Sequence, residues 1–155
     1  MYGNLYIVST PIGNLNDITK RACDILSEVD LIAAEDTRVT GKLLKHYKIK
    51  TKMISYNNFN ENKKYQYFIS LLKDNNDIAV VSNAGTPCIS DPGYRLVNAA
   101  NILGINVISV PGPSSVIASL SISGLPTDSF YFSGFLPRKK GRSTKFEVLS
   151  KISST

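Results

Sequence analysis

The residues best suited to chemistry lie in three loops of one make-up. The longest, residues 82–93, reads SNAGTPCISDPG and follows the apolar run IAVV. The others are STPIGN at 9–14 and PGPSS at 111–115, each again behind a short apolar run. Gly85 and Gly93 allow main chain to come close to a ligand. Ser82, Thr86 and Ser90 offer hydroxyls, and Pro87 and Pro92 stiffen the loop, which lowers the entropy lost on binding. One such loop reads as a rigid turn between a strand and a helix. Three of them, each behind a strand, point to a shared pocket.

Several chemistries are missing from these loops. There is no G-x-x-x-x-G-K-[ST] phosphate loop and no G-x-G-x-x-G after the first strand. No Cys/His cluster has zinc spacing, and no serine sits in a G-x-S-x-G elbow. What remains is a ligand held mainly by backbone groups and small side chains.

The elements that position the loops follow from periodicity. Short apolar runs at 5–8, 31–34, 53–55, 78–81 and 107–110 read as strands. Between them, apolar residues recur at helical spacing. Ile18, Ala22, Ile25, Leu26 and Val29 mark a first helix with Asn16 or Asp17 as its cap, and Cys23 beside its stripe as a packed thiol. Leu43, Leu44 and Tyr47 mark a second over 39–47, and Tyr65, Phe68, Ile69 and Leu72 a third over 61–73. A fourth spans 94–103, with Gly104 just past its end, and a fifth follows Pro113. Five strand–helix units in a row predict an α/β fold: a five-stranded, mainly parallel sheet with helices on both faces.

The pattern changes after Gly124. Residues 125–128 read as a linker, 130–135 as one more strand, 137–142 as a basic turn and 146–152 as a helix. One strand and one helix cannot bury their apolar faces alone. We therefore expect an N-terminal α/β domain over 1–124, and over 125–155 a linker with the first elements of a second α/β domain. A C-terminal arm packed back on the first domain is the alternative.

The chain has 155 residues, 43% of them hydrophobic, enough for a real core. No apolar run is long enough to span a membrane, and no secretory signal opens the chain. The two cysteines, Cys23 and Cys88, have no metal or redox spacing. A cytoplasmic protein with reduced thiols is expected. The formal net charge is +6. It is concentrated in two patches: Lys42, Lys45, His46, Lys48, Lys50 and Lys52 after Arg38, and Arg138, Lys139, Lys140, Arg142 and Lys145. Concentrated charge points to nucleic acid more strongly than a uniform excess does.

Six segments occur in order: LYIVSTPIGNLNDIT, AAEDTR, VSNAGTPCISDPGY, VPGPSS, SGLPTDSF and GFLPRKKG. Together they resemble the tetrapyrrole-methylase-like class of S-adenosylmethionine enzymes, in the branch that methylates ribosomal RNA. The resemblance runs through essentially the whole chain. It implies 2′-O-methylation of a cytidine ribose in the decoding region of small-subunit (16S) ribosomal RNA. It also implies a two-domain cytoplasmic homodimer acting on that RNA or the 30S subunit, with S-adenosylmethionine between its domains. The donor-binding positions it implies are Thr10, Pro11, Gly13, Ser82, Asn83, Ala84, Gly85, Thr86, Pro87, Pro111, Gly112 and Ser114. Two positions depart from the family pattern: Asn83 stands where Asp is usual, and Cys88 where Gly is usual.

Direct displacement at a methyl sulfonium requires neither metal nor covalent intermediate, and rests on alignment and exclusion of water. Glu35, Asp36 and Asp91 are the candidates for a general base. Asp36 reads equally well as a helix cap paired with Arg38. Arg38, Lys42, Arg138, Lys139 and Lys140 are candidate RNA contacts. His46 reads as a phosphate contact or a surface residue. Tyr56 and Phe59 are candidates to stack on a splayed base, although partial core packing is the stronger single reading for each. The isolated chain is expected to be inactive. The alternatives are a tetrapyrrole C-methyltransferase of the same fold and a non-catalytic RNA-binding module.

Overall fold

The computed structural model describes residues 1–152. Contacts divide the chain into two compact units, Met1–Ser114 and the residues from Ser115 on. The first unit is built on a parallel sheet of β1 (Leu5–Val8), β2 (Leu31–Ala34), β3 (Met53–Ser55), β4 (Ile78–Val81) and β5 (Val107–Val110). The order across the sheet is β3-β2-β4-β1-β5, so β3 and β5 are its edges. Every neighbouring pair is parallel. All four residues of β2 and of β4 are buried. That burial on both faces is why these runs are apolar throughout and do not alternate.

Helices α1 (Lys20–Glu28), α2 (Thr37–His46), α3 (Glu61–Lys73) and α4 (Tyr94–Ile102) connect the strands. The period of two along the strands divides the core between the faces. Leu5, Leu31, Ala33, Ile78 and Val80 pack with Phe68, Ile69 and Leu72 of α3 and Leu96 and Ala100 of α4. Val8, Ile32, Ala34, Ala79 and Val81 pack with Ala22 and Leu26 of α1 and Leu44 of α2.

Several local expectations are corrected. The cap of α1 is Thr19, whose side chain accepts from the Ala22 amide; Asn16 and Asp17 lie in a preceding 3-10 turn, Leu15–Asp17. Ile18 separates turn from helix with an extended backbone, so the apolar stripe begins before the helix does. Helix α2 starts two residues earlier than expected, because Asp36 caps it. Gly104 follows the end of α4 at a φ of 69°, in the left-handed region.

The second unit carries α5 (Ser115–Ser121) and α6 (Arg142–Leu149). The last helix thus begins and ends earlier than the expected 146–152. Residues 130–135 are not a strand. Their alternation suits a pleated segment, but a strand needs a neighbour to complete its hydrogen bonds, and among the described residues none pairs with it.

Candidate active site at the carboxyl ends of the strands

The sheet topology determines where a site can form. From β1 and β2 the chain leaves through α1 and α2 on one face of the sheet; from β4 it leaves through α4 on the other. In the sheet, β4 lies between β1 and β2. Connections that depart to opposite faces open a crevice outside the strand ends, and open α/β sheets bind ligands there. The loops after β1 and β4 flank this crevice.

Short polar contacts tie those loops together. Thr10 and Gly85 exchange two backbone hydrogen bonds, each 2.9 Å, as an isolated antiparallel bridge. The Thr10 hydroxyl donates to the Ser82 carbonyl at 3.2 Å. Thr86 Oγ1 donates to the Pro113 carbonyl at 3.3 Å, which leaves Ser9 Oγ as the donor in its 3.0 Å bond with Thr86 Oγ1. Thus the loops after β1, β4 and β5 meet. Gly112 lies so close to Ser9 that a Cβ there would stand 3.0 Å from the Ser9 Cβ. Ser9, Thr10 and Ser82 are buried by this junction, while Gly13, Asn83, Ala84, Pro111 and Gly112 are exposed above it.

A cleft of ≈ 270 Å³ lies beside the junction, lined by Thr10, Pro11, Leu15, Val39, Thr40, Lys42, Leu43, Ser82 and Asn83. Its lining mixes apolar side chains with a few polar groups, the usual make-up of a small-molecule site. The Tyr47 hydroxyl donates to the Leu15 carbonyl at 2.6 Å and so joins α2 to the first loop.

The three carboxylates differ in what they already hold. Asp36 accepts from the Arg38 amide at 2.9 Å and pairs with its guanidinium at 3.0 and 2.6 Å. These bonds hold its carboxyl at about 2, too weak a base for proton transfer near neutrality. Glu35 accepts from the Asn83 amide at 2.9 Å and steadies the start of the long loop. Asp91 is partly buried, and burial pushes its carboxyl up; the charge of Glu35 adds to this, and the Ser82 hydroxyl opposes it. The Asp91 carboxyl is thus shifted in the opposite direction to that of Asp36.

Residues 4–154 match the family model of the Tetrapyrrole (Corrin/Porphyrin) Methylases. The chain belongs to this tetrapyrrole methylase family. Ribosomal RNA small subunit methyltransferase I of Vibrio cholerae serotype O1 is 55% identical over 152 residues, 97% of this chain and 53% of the relative. The protein of the same name from Escherichia coli O157:H7 is 52% identical over 141 residues, 90% of this chain and 49% of the relative. The chain therefore spans about half the length of these curated relatives. Among solved structures, uroporphyrin-III-C-methyltransferase from Thermus thermophilus superposes with a TM-score of 0.61 at 23% identity, over 80% of this chain and 53% of that one. At that identity the likeness is one of fold.

Within this family member, the expected site residues fall into two groups. Gly85 and Pro87 are buried and the Thr86 hydroxyl is engaged, so these three build the loop rather than face outward. The expected RNA contacts also divide. Arg38 is held by Asp36, whereas Lys42 lines the cleft. In the second unit Arg138, Lys139 and Lys140 are exposed. Tyr56 is core, 1% exposed, while Phe59 is 98% exposed. His46 is exposed and lies edge-on to the Tyr47 ring at 4.8 Å.

Cys88 adopts φ 68°, the left-handed region where glycine is usual. Burial pushes its thiol up to about 11, with the charges of Glu61 and Asp91 adding to this, so it is a poor nucleophile. Glu61 itself is a site-building residue that sequence reasoning missed. Its Oε1 accepts from the Gly93 amide at 3.0 Å, the Arg95 amide at 3.2 Å and the Tyr56 hydroxyl at 3.2 Å. It caps α4 from the start of α3, because Gly93 has no side chain to do so. A glutamate in the first turn of its own helix looks like an ordinary dipole partner. Only the fold shows that it serves another helix.

Proposed function

We propose that the full-length protein transfers a methyl group from S-adenosylmethionine to the 2′-oxygen of a cytidine ribose in the decoding region of small-subunit (16S) ribosomal RNA. The observation that carries this reading is the 55% identity, over 97% of the chain, to a protein named ribosomal RNA small subunit methyltransferase I. In this reading the protein works in the cytoplasm as a homodimer on that RNA or the 30S subunit. Residues 1–124 are its N-terminal domain and 125–155 the opening of a second.

The residues present fit the methyl donor. The strand-end rim offers exposed main chain at Gly13, Asn83, Ala84, Pro111 and Gly112, over a junction whose own polar groups are satisfied. None of the three loops carries a lysine or arginine, as suits a cationic ligand without phosphate. Thr10, Pro11, Ser82 and Asn83 also line the adjoining cleft, while Gly85, Thr86 and Pro87 build the junction beneath the rim, and Ser114 follows Pro113, whose carbonyl Thr86 holds. S-adenosylmethionine, when bound, supplies an electrophilic methyl group on a sulfonium. The chain's part is to orient the attacking hydroxyl, exclude water and take up its proton. We assign the proton to a carboxylate oxygen of Asp91, whose raised proton affinity suits the task, and the steadying of the loop to Glu35.

Nucleoside analysis of small-subunit ribosomal RNA, from cells with and without the full-length protein, tests the reading. A 2′-O-methylcytidine is expected to disappear in its absence; an unchanged level would overturn the proposal.

A further inference from the structure

The lysines that follow Arg38 in the sequence do not share one surface. Lys42 lines the cleft. Lys45, Lys48 and Lys50 line a separate groove of ≈ 440 Å³, whose apolar wall is Leu44, Ile49 and Met53. This groove lies at the β3 edge of the sheet, away from the strand-end loops. We propose that it is a backbone track for the RNA substrate: the three ammonium groups take successive phosphates of a single strand, and the apolar wall takes the riboses between them. The inference rests on the reading of RNA as substrate and assigns it a second contact surface.

Three observations carry it. First, the charge is not neutralised. No Asp or Glu occurs between Asp36 and Glu61. The ion pairs among the described residues are Lys20 with Asp24 and Arg38 with Asp36, so no carboxylate lies within 4.0 Å of the groove lysines. Second, flexible ammonium groups over apolar stems suit a phosphate–ribose chain, since lysine lays its stem on apolar surface and keeps its head in water. Third, Lys48 stands where a glycine is favoured. Helix α2 closes with the Ile49 amide on the Leu44 carbonyl at 2.9 Å and the Lys48 amide on the Lys45 carbonyl at 3.2 Å. This is a Schellman ending, and its left-handed position, φ 58°, is held by Lys48. The chain accepts that backbone strain and in return places a cation at the groove. Guarding the open edge of β3 against pairing would account for Lys50 and Lys52, just before the strand, but not for Lys45 and Lys48 on the helix and its turn.

The test is fluorescence anisotropy of the full-length protein with a short labelled single-stranded RNA over a range of salt. The triple variant Lys45→Ala/Lys48→Ala/Lys50→Ala should bind about tenfold more weakly, with its log–log salt slope shallower by about 2, as three single-strand phosphate contacts require. Calorimetric binding of S-adenosylmethionine should be unchanged. Lys48→Gly alone should raise the thermal midpoint while weakening RNA binding, opposite signs that a merely structural lysine would not produce. Unchanged RNA affinity and slope in the triple variant would overturn the inference, as would self-association of that variant with its RNA affinity intact. A wild-type protein that binds S-adenosylmethionine but no RNA would instead defeat the proposed substrate, and the groove's role with it.

Discussion

At the scale of single residues, Cys88 and Gly93 are fitted to one another. A non-glycine residue in the left-handed region costs roughly 1–2 kcal/mol, and Cys88 occupies it at φ 68°. Its sulfur fills the space that a Cβ at position 93 would need, and Gly93 has φ 133°, a conformation L side chains rarely adopt. Gly93→Ala should therefore destabilise by about 3 kcal/mol. Adding Cys88→Gly removes the collision and should recover about 1 kcal/mol more than the effect of Cys88→Gly by itself. Urea unfolding of the two single variants and the double variant measures this coupling; strict additivity would refute it. Asp91 yields a prediction in which stability and activity diverge. Its folded-state proton affinity is raised, mainly by burial. Its protonation therefore favours the fold at low pH, and that contribution is lost as pH rises through the folded value. At neutral pH Asp91→Asn should be at least as stable as the wild type. In the full-length protein it should slow methyl transfer by about 10²–10⁴ and abolish the acidic limb of the rate profile. A retained limb would reassign the base.

Among the elements, α3 and α4 lean on one carboxylate. Three donors converge on Glu61 Oε1, two of them backbone amides at the start of α4. An anion at a helix N-terminus is favoured by the helix dipole, and hydrogen bonds to a charged group contribute about 1.5–3 kcal/mol each. Burial pushes the Tyr56 phenol far up, and the Glu61 charge reinforces this. Glu61→Ala should cost about 3 kcal/mol, and Glu61→Gln about 1 kcal/mol, since the amide oxygen still accepts. Chemical denaturation gives both values.

For the whole molecule, the core belongs to the first unit. Both hydrophobic clusters draw only on residues between Leu5 and Val110, and no described residue beyond Val110 is buried. Large side chains of the second unit stay open to solvent, among them Phe135 at 85% and Ile122 at 86%. Burial of apolar surface is the dominant favourable term in folding. A chain ending at Ser114 should therefore unfold in one cooperative transition, with a midpoint within about 5 °C of the 155-residue chain. Loss of cooperativity would show that the second unit contributes to the core.

The sequence by itself determined the strands, their order along the chain and the places of the three loops. Apolar runs of three or four residues between amphipathic helices leave few other solutions, and the five strand ranges read from those runs match the sheet residue for residue. The cap of α1 was less legible, because Asn16, Asp17 and Thr19 all qualify chemically and only the extended Ile18 separates them. Residues 130–135 misled for a related reason: alternation states a preference for pleated backbone, but a strand exists only with a neighbour. Tertiary structure alone decided the strand order and hence the crevice beside β4. It alone distinguished the carboxylates, committing Asp36 to a cap and Arg38, and raising Asp91 by burial. It also brought Glu61 to a helix 32 residues away in the chain. Proton affinity and hydrogen bonding depend on distance and burial through space, which residue type and spacing do not encode.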